Sequence, residues 1–342
     1  MKLFRCAAAA AMCMVLLPFS GMAADLPAGY RIDVQGEDDS AVAFWKANDF
    51  WGEIDTSKPL MVPRALVVVI SQSWAEDAER TPVNEKKELF YRALLPLILV
   101  ANEEILRDRA RLQEVAARQA AGSTPANDDM AFLRNLARNY RVVRDGADDA
   151  DVLSATSELL ARVDAVPPAL ALGQGAYESG YGTSRFAMFG NALFGQWTFD
   201  GSGMRPKEKR AAKGNYGVAS FDWPLDSVRA YMRNLNTHRS YADLRAERAA
   251  LRRVGEPVMG KALTKTLTKY SELGQAYVDT LQSIIRINGL DVADTARLKD
   301  EPVTLIVYAD SAADADAARE EIKQLHQSGE LAEMIGGMGL RN

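Results

Sequence analysis

Apolar and polar positions along this chain follow two rhythms, and the change from one to the other divides it into elements. Residues 24 to about 60 are mixed, with Trp45 and Trp51 in a polar setting. MVPRALVVVI (61–70) holds a β-branched run bounded by Pro63 and Ser71, the pattern of a short buried strand. From Val83 to about Ala120 the apolar residues Leu89, Ala93, Leu97, Val100 and Ile105 recur near helical spacing, and Pro96 should kink that helix. AGSTPANDD (121–129) is turn chemistry, followed by a shorter amphipathic helix over Met130 to Val143. A helix over Asp151 to Arg162 ends at Val166-Pro167-Pro168, and Pro168 starts the next, which runs to Ser179 with Gly180 as its stop. QWTF and YGVASF, within 195–221, read as two strands joined by a polar tip. Helices resume over Leu225–Thr237, Ser240–Val254 and Leu273–Asn288, the last carrying Tyr277, Leu281 and Ile284 or Ile285 on one stripe. Val303–Tyr308 reads as a strand and Ala312–His326 as an alanine-rich helix.

Composition narrows the setting. Lys2 and Arg5 precede an apolar run from Ala7 to Leu17, and Gly21-Met22-Ala23 offers small residues for cleavage before Ala24. This is the plan of a secretory signal peptide over residues 1–23, with an uncleaved anchor as the alternative, and it places the protein in the periplasm or outside the cell. Cys6 and Cys13 lie within that leader, so the mature chain has no disulfide and must be held by its core. Removing Lys2 and Arg5 takes the formal charge from −5 to −7, an acidic balance that argues against nucleic acid or an anionic membrane as the main partner, and no stable membrane insertion is expected. With His238 and His326 the only histidines, a His/Cys metal site is nearly excluded, and nothing calls for a cofactor.

Candidate chemistry concentrates in AYESGYGTSRFAMFGNALFGQWTF (176–199). Glu178 falls near the C-terminal end of its predicted helix, where the helix dipole is negative and neighbouring rings exclude water. Both effects favour the protonated carboxyl, the state a glycosidase needs in its general acid. Tyr181, Phe194, Trp197 and Tyr216 offer flat faces to sugar rings, and Asn191 and Gln196 offer amides to acetamido or hydroxyl groups; core and hairpin packing is the plainer alternative. For Phe186 and Phe189, packing is the expected role. Asn191 also suits turn initiation.

These residues carry a resemblance. The string from Ala171 and Gln174 through Glu178-Ser179-Gly180-Tyr181-Gly182-Thr183-Ser184 to Asn191-Ala192-Leu193-Phe194-Gly195 resembles the glucosaminidase domain of glycoside hydrolase family 73. Its wider frame is similar to the Bax-type branch of bacterial proteins, over roughly residues 61 to 290. Supporting pieces are Lys86-Lys87-Glu88-Leu89-Phe90, Asn102-Glu103, Phe221-Asp222, Lys269-Tyr270-Ser271 and Tyr277-Val278. The resemblance implies a mainly α (α+β) protein: a lysozyme-like helical domain with a small β-hairpin lobe, preceded by an N-terminal helical region. It implies hydrolysis of β-1,4 bonds beside N-acetylglucosamine in peptidoglycan glycan strands, with the general acid on Glu178 and an active-site tyrosine on Tyr270. Ala192 departs from the family's usual second Asn, which puts one polar contact in doubt.

The boundaries that follow are a signal peptide at 1–23, a mostly helical region at 24–150, the glucosaminidase domain at 151–290 and an appendage at 291–342. A second carboxylate is harder to place. Asp200, Glu208 and Asp222 lie in or beside the hairpin, and Glu208 is the catalytic candidate. Its neighbours Lys207, Lys209 and Arg210 also suit a solvated turn, and Asp222 suits a helix cap. Tyr231 and Tyr277 are expected to pack helices. Lytic transglycosylase or muramidase activity, and glycan binding without cleavage, remain as rival readings; no regulatory partner is named by these residues.

Overall fold

The structure, a computed structural model, describes residues 30–35, 41–69, 74–198, 203–204, 217–309 and 311–336. The expected leader at 1–23 and the hairpin tip with Asp200, Glu208 and Tyr216 lie outside the described residues. The chain opens with strand β1 (Tyr30–Gln35), helix α1 (Ala41–Ala47), strands β2 (Met61–Val62) and β3 (Ala65–Val69), and helix α2 (Trp74–Arg80). Helices α3 (Val83–Ala120), α4 (Asn127–Asn139), α5 (Asp149–Ser154), α6 (Thr156–Arg162), α7 (Pro168–Ser179) and α8 (Arg185–Gly190) follow. A two-stranded lobe, β4 (Trp197–Thr198) against β5 (Gly217–Val218), precedes α9 (Pro224–Thr237), α10 (Ala242–Val254), α11 (Gly260–Leu263) and α12 (Gln275–Ile287). Strands β6 (Arg297–Leu298) and β7 (Val303–Tyr308) and helices α13 (Ala312–Gln327) and α14 (Glu330–Gly336) complete it. The protein is mainly α, with the small antiparallel lobe the resemblance implied.

Segments of two helices are enclosed on every side. In α3 all residues from Leu94 to Asn102 are buried, and the helix passes through Pro96 without interruption. The stripe read from spacing, with Leu97 and Val100 inside this segment, describes one side of it; a helix segment apolar all round belongs at the centre of a core. In α7 every residue from Pro168 to Ala176 is buried. Close approach makes this enclosure dense. A Cβ on Gly173 would lie 3.2 Å from Ile285 of α12, and one on Gly175 would lie 2.7 Å from Leu94 of α3. Gly260 of α11 meets the α7 backbone directly, where a Cβ would stand 2.5 Å from the Leu170 nitrogen.

Buried polar groups fix the two ends of the α6–α7 junction. Asn102 bonds the Val166 backbone in both directions, at 2.8 and 2.9 Å. Asp164 is 2% exposed and pairs with Arg252 at 2.7 Å, with Arg248 at 3.6 Å and Arg109 at 3.7 Å around it. Arg248, itself fully buried, donates to the carbonyls of Ala161, Asp164 and Ala165. At the start of α7, Asp294 accepts from Ala169 N at 2.8 Å and Gly260 N at 2.6 Å, tying α11 to α7.

The two chain regions outside this bundle meet each other. β7 lies between β1 and β3 in a three-stranded parallel sheet, pairing Tyr30 with Val303 and Leu66 with Leu305. Leu305, Ile306 and Val307 join the same core as α3 and α7, so the tail expected as an appendage packs into the main body. A second cluster, with Leu112, Val115, Phe132, Leu133 and Leu159, gathers α4–α6 on the distal half of α3. Smaller differences from expectation have local causes. The helix over 151–162 breaks at Ala155, and α4 starts earlier and stops at Asn139, just before Arg141 takes a left-handed φ of 55°. Asp222 does not cap α9: Trp223 occupies that position and no side chain accepts there.

Gly260→Ala should destabilise the fold by about 1–3 kcal/mol, because its methyl must displace helix backbone. Asp164→Ala should cost about 3–5 kcal/mol by stranding the buried Arg248. Urea titration of both variants checks these values, and losses under half a kcal/mol would contradict them.

Candidate active site

Glu178 stands on the last turn of α7, directly before a sharp change of direction. Gly180, Tyr181 and Gly182 take φ values of 58°, 59° and 79°, three left-handed residues in succession. Glycine meets this demand freely, whereas Tyr181 needs outside support. Support comes from Ser179, whose Oγ donates to Gly175 O and accepts from Gly182 N, and from Trp74, whose indole donates to Tyr181 O at 3.2 Å. The Glu-Ser-Gly-Tyr-Gly string thus builds a turn that leaves the preceding carboxylate at the edge of the core.

The carboxylate meets a line of buried polar side chains. Tyr277 of α12 donates to Glu178 Oε1 at 2.9 Å, Gln174 Nε2 donates to the Tyr277 hydroxyl at 2.9 Å, and Tyr231 of α9 donates to Gln174 Oε1 at 2.7 Å. Gln174 and Glu178 share a face of α7, four residues apart. Burial raises the proton affinity of Glu178 above the ordinary carboxylate value, and the Tyr277 hydrogen bond opposes that rise without cancelling it. Glu178 Oε2 lies against Gly195, where φ is +62° and a Cβ would sit 3.2 Å from that oxygen. Gly195 therefore lets the backbone pass beside the acid.

Residues 154–290 match the Glucosaminidase family, described as mannosyl-glycoprotein endo-beta-N-acetylglucosaminidase. The chain is also 32% identical over 204 residues to Protein bax of Escherichia coli (strain K12), across 59% of this chain and 70% of that one. It belongs to the Bax-type glucosaminidase-domain family. No solved structure matches the chain significantly.

Within this glucosaminidase domain, Tyr270 and Tyr181 lie close to the Glu178 turn, and Trp197 lies on the two-stranded lobe. Tyr270 is half-buried, donates its hydroxyl to Phe194 O at 3.1 Å, and stacks on Tyr277 with centroids 5.5 Å apart at 3°. Trp197 is 44% exposed on the lobe. Tyr181 packs edge-on against Phe90 and Tyr91 beside the Glu178 turn. The amides serve the lobe: Asn191 donates to Phe221 O and Asp222 O, and Gln196 donates to Ser227 O.

Two aromatic expectations are reversed. Phe194 is 1% exposed and stacks on Tyr231 at 4.0 Å and 11°, so its ring faces the core and has no side for a sugar. Phe189, expected to pack inside, is 57% exposed. Tyr231 and Tyr277 do pack helices, but Tyr277 also bonds the acid and Tyr231 is joined to it through Gln174, which spacing alone missed. One signal was available: Gln174 is the single polar side chain in the apolar and small-residue stretch 168–176, and such a group must find partners.

Gly195→Ala should lower stability by about 1 kcal/mol or more through its left-handed φ, and should raise the Glu178 midpoint by displacing solvent from Oε2. Thermal unfolding and carboxyl ¹³C titration read the two effects separately.

Proposed function

We propose that this protein is an exported peptidoglycan hydrolase that cleaves β-1,4 bonds of N-acetylglucosamine, with Glu178 as general acid. The observation that carries the reading is one partly buried carboxyl, with raised proton affinity, on the rim of a family-matched glucosaminidase domain. Protonated, it gives its proton to the glycosidic oxygen as the bond to the anomeric carbon breaks, so the leaving sugar departs as an alcohol. Tyr270 orients the substrate or attacking water. The exposed Tyr177, Phe189 and Trp197 offer platforms for flanking sugars. Export follows from the leader-like residues 1–23, and among the described residues no helix is long and apolar enough to cross a membrane.

Glu178→Gln should keep the fold and reduce release of soluble muropeptides from purified sacculi by about a thousandfold or more, as loss of both proton and charge demands. N-acetylglucosamine at the new reducing ends is the expected product; anhydromuramic acid would overturn the bond assignment, and unchanged release by the variant would overturn the acid. The wild-type rate should fall as pH rises through the Glu178 midpoint, because the reacting form is protonated. That limb should lie above the ordinary glutamate value of about 4.3.

A further inference from the structure

The line from Tyr231 to Glu178 admits two directions. In one, each group donates toward Glu178 and the carboxyl proton is favoured on Oε2, because an unprotonated Oε1 is the better acceptor for the Tyr277 hydroxyl. In the other, the Gln174 amide is turned over, Glu178 donates from Oε1 to Tyr277, Tyr277 donates to Gln174, and Gln174 donates to Tyr231. The two differ at the buried end. Tyr231 is fully enclosed, with the Phe194 ring against its face, and its hydroxyl bonds only Gln174 among the described residues. In the second direction that hydroxyl keeps a proton with no acceptor, a burden that disfavours the arrangement on the order of tenfold or more.

We propose that Tyr231, a positioning residue remote from the substrate, sets the direction of this line, and through Gln174 and Tyr277 confines the Glu178 proton to Oε2, beside Gly195. Oε2 makes no hydrogen bond to a described residue, so the proton is held on the oxygen free to meet a glycosidic oxygen. Among the described residues, the titratable groups facing Glu178 are phenols: Tyr277 from α12, Tyr270 from the preceding turn, Tyr231 from α9 and Tyr241 from the turn after it. Burial pushes all four upward, so they stay neutral while Glu178 titrates.

The catalytic consequence rests on Glu178 acting as the acid, but the line itself is tested without turnover. Carboxyl ¹³C titration of full-length protein should place the Glu178 midpoint about half to one pH unit higher in Tyr231→Phe than in wild type, since the amide is then free to turn and Oε1 can hold the proton. Gln174→Met, which releases the Tyr277 hydroxyl, should move it the same way. Phe194→Leu disturbs the same packing without touching a polar group and should leave the midpoint in place. Equal midpoints in Tyr231→Phe and wild type, or an equal rise in Phe194→Leu, would overturn the inference. If sacculi are cleaved, the alkaline limb of kcat/KM rises with the midpoint in Tyr231→Phe while the plateau falls. If wild type cleaves nothing, the hydrolase reading fails and the titration still decides the direction of the line.

Discussion

A carboxyl can be kept at the boundary between core and water only if the helix beneath it cannot shift, and that constraint governs the rest of this molecule. α7 is wrapped by α3, α11 and α12 along nine consecutive buried residues. Glycines at 173, 175 and 260 bring the surrounding helices closer than side chains would permit. Each helical glycine costs roughly 1 kcal/mol in propensity relative to alanine, an expense met by dense packing on all sides. Asp294 at one end of α7 and the left-handed turn at the other then fix its position along its own axis.

The electrostatics of the site follow from this geometry. Among the described residues, phenols and an amide surround Glu178 in place of charged partners, so burial raises its proton affinity and one hydroxyl moderates the rise. Rings stacked in sequence, Tyr277 on Tyr270 and Tyr270 beside Tyr241, form a rigid wall that cannot supply a competing charge. The charged clusters among the described residues are elsewhere. Asp164 with its arginines, and Arg229 with Glu104, join helices away from the acid.

Local chemistry was readable in the residues; distant pairing was not. The bounds of α7 followed from Pro168 and Gly180, and β7 and α13 from their own patterns, because caps, proline and periodicity act within a few positions. Glu178 stood out for the same reason. The Gln174 contacts join residues 57 and 103 positions apart, and no window along the chain contains both partners. Phe189 and Phe194 exchanged their expected roles because a short aromatic-rich turn does not disclose which ring faces inward. β1 went unread since its partner strand stands near the other end of the chain.

That last pairing has a consequence for how the molecule comes to exist. β1 and β3 do not touch as neighbours in the sheet; each is joined only to β7, so neither acquires its lateral partner until residue 303 and beyond are present. Closing so wide a loop is slow, and the helical bundle, whose contacts are nearer in sequence, has the kinetic advantage. The sheet therefore carries the widest loop closure in the fold, and β1 and β3 gain their shared partner only when β7 is in place.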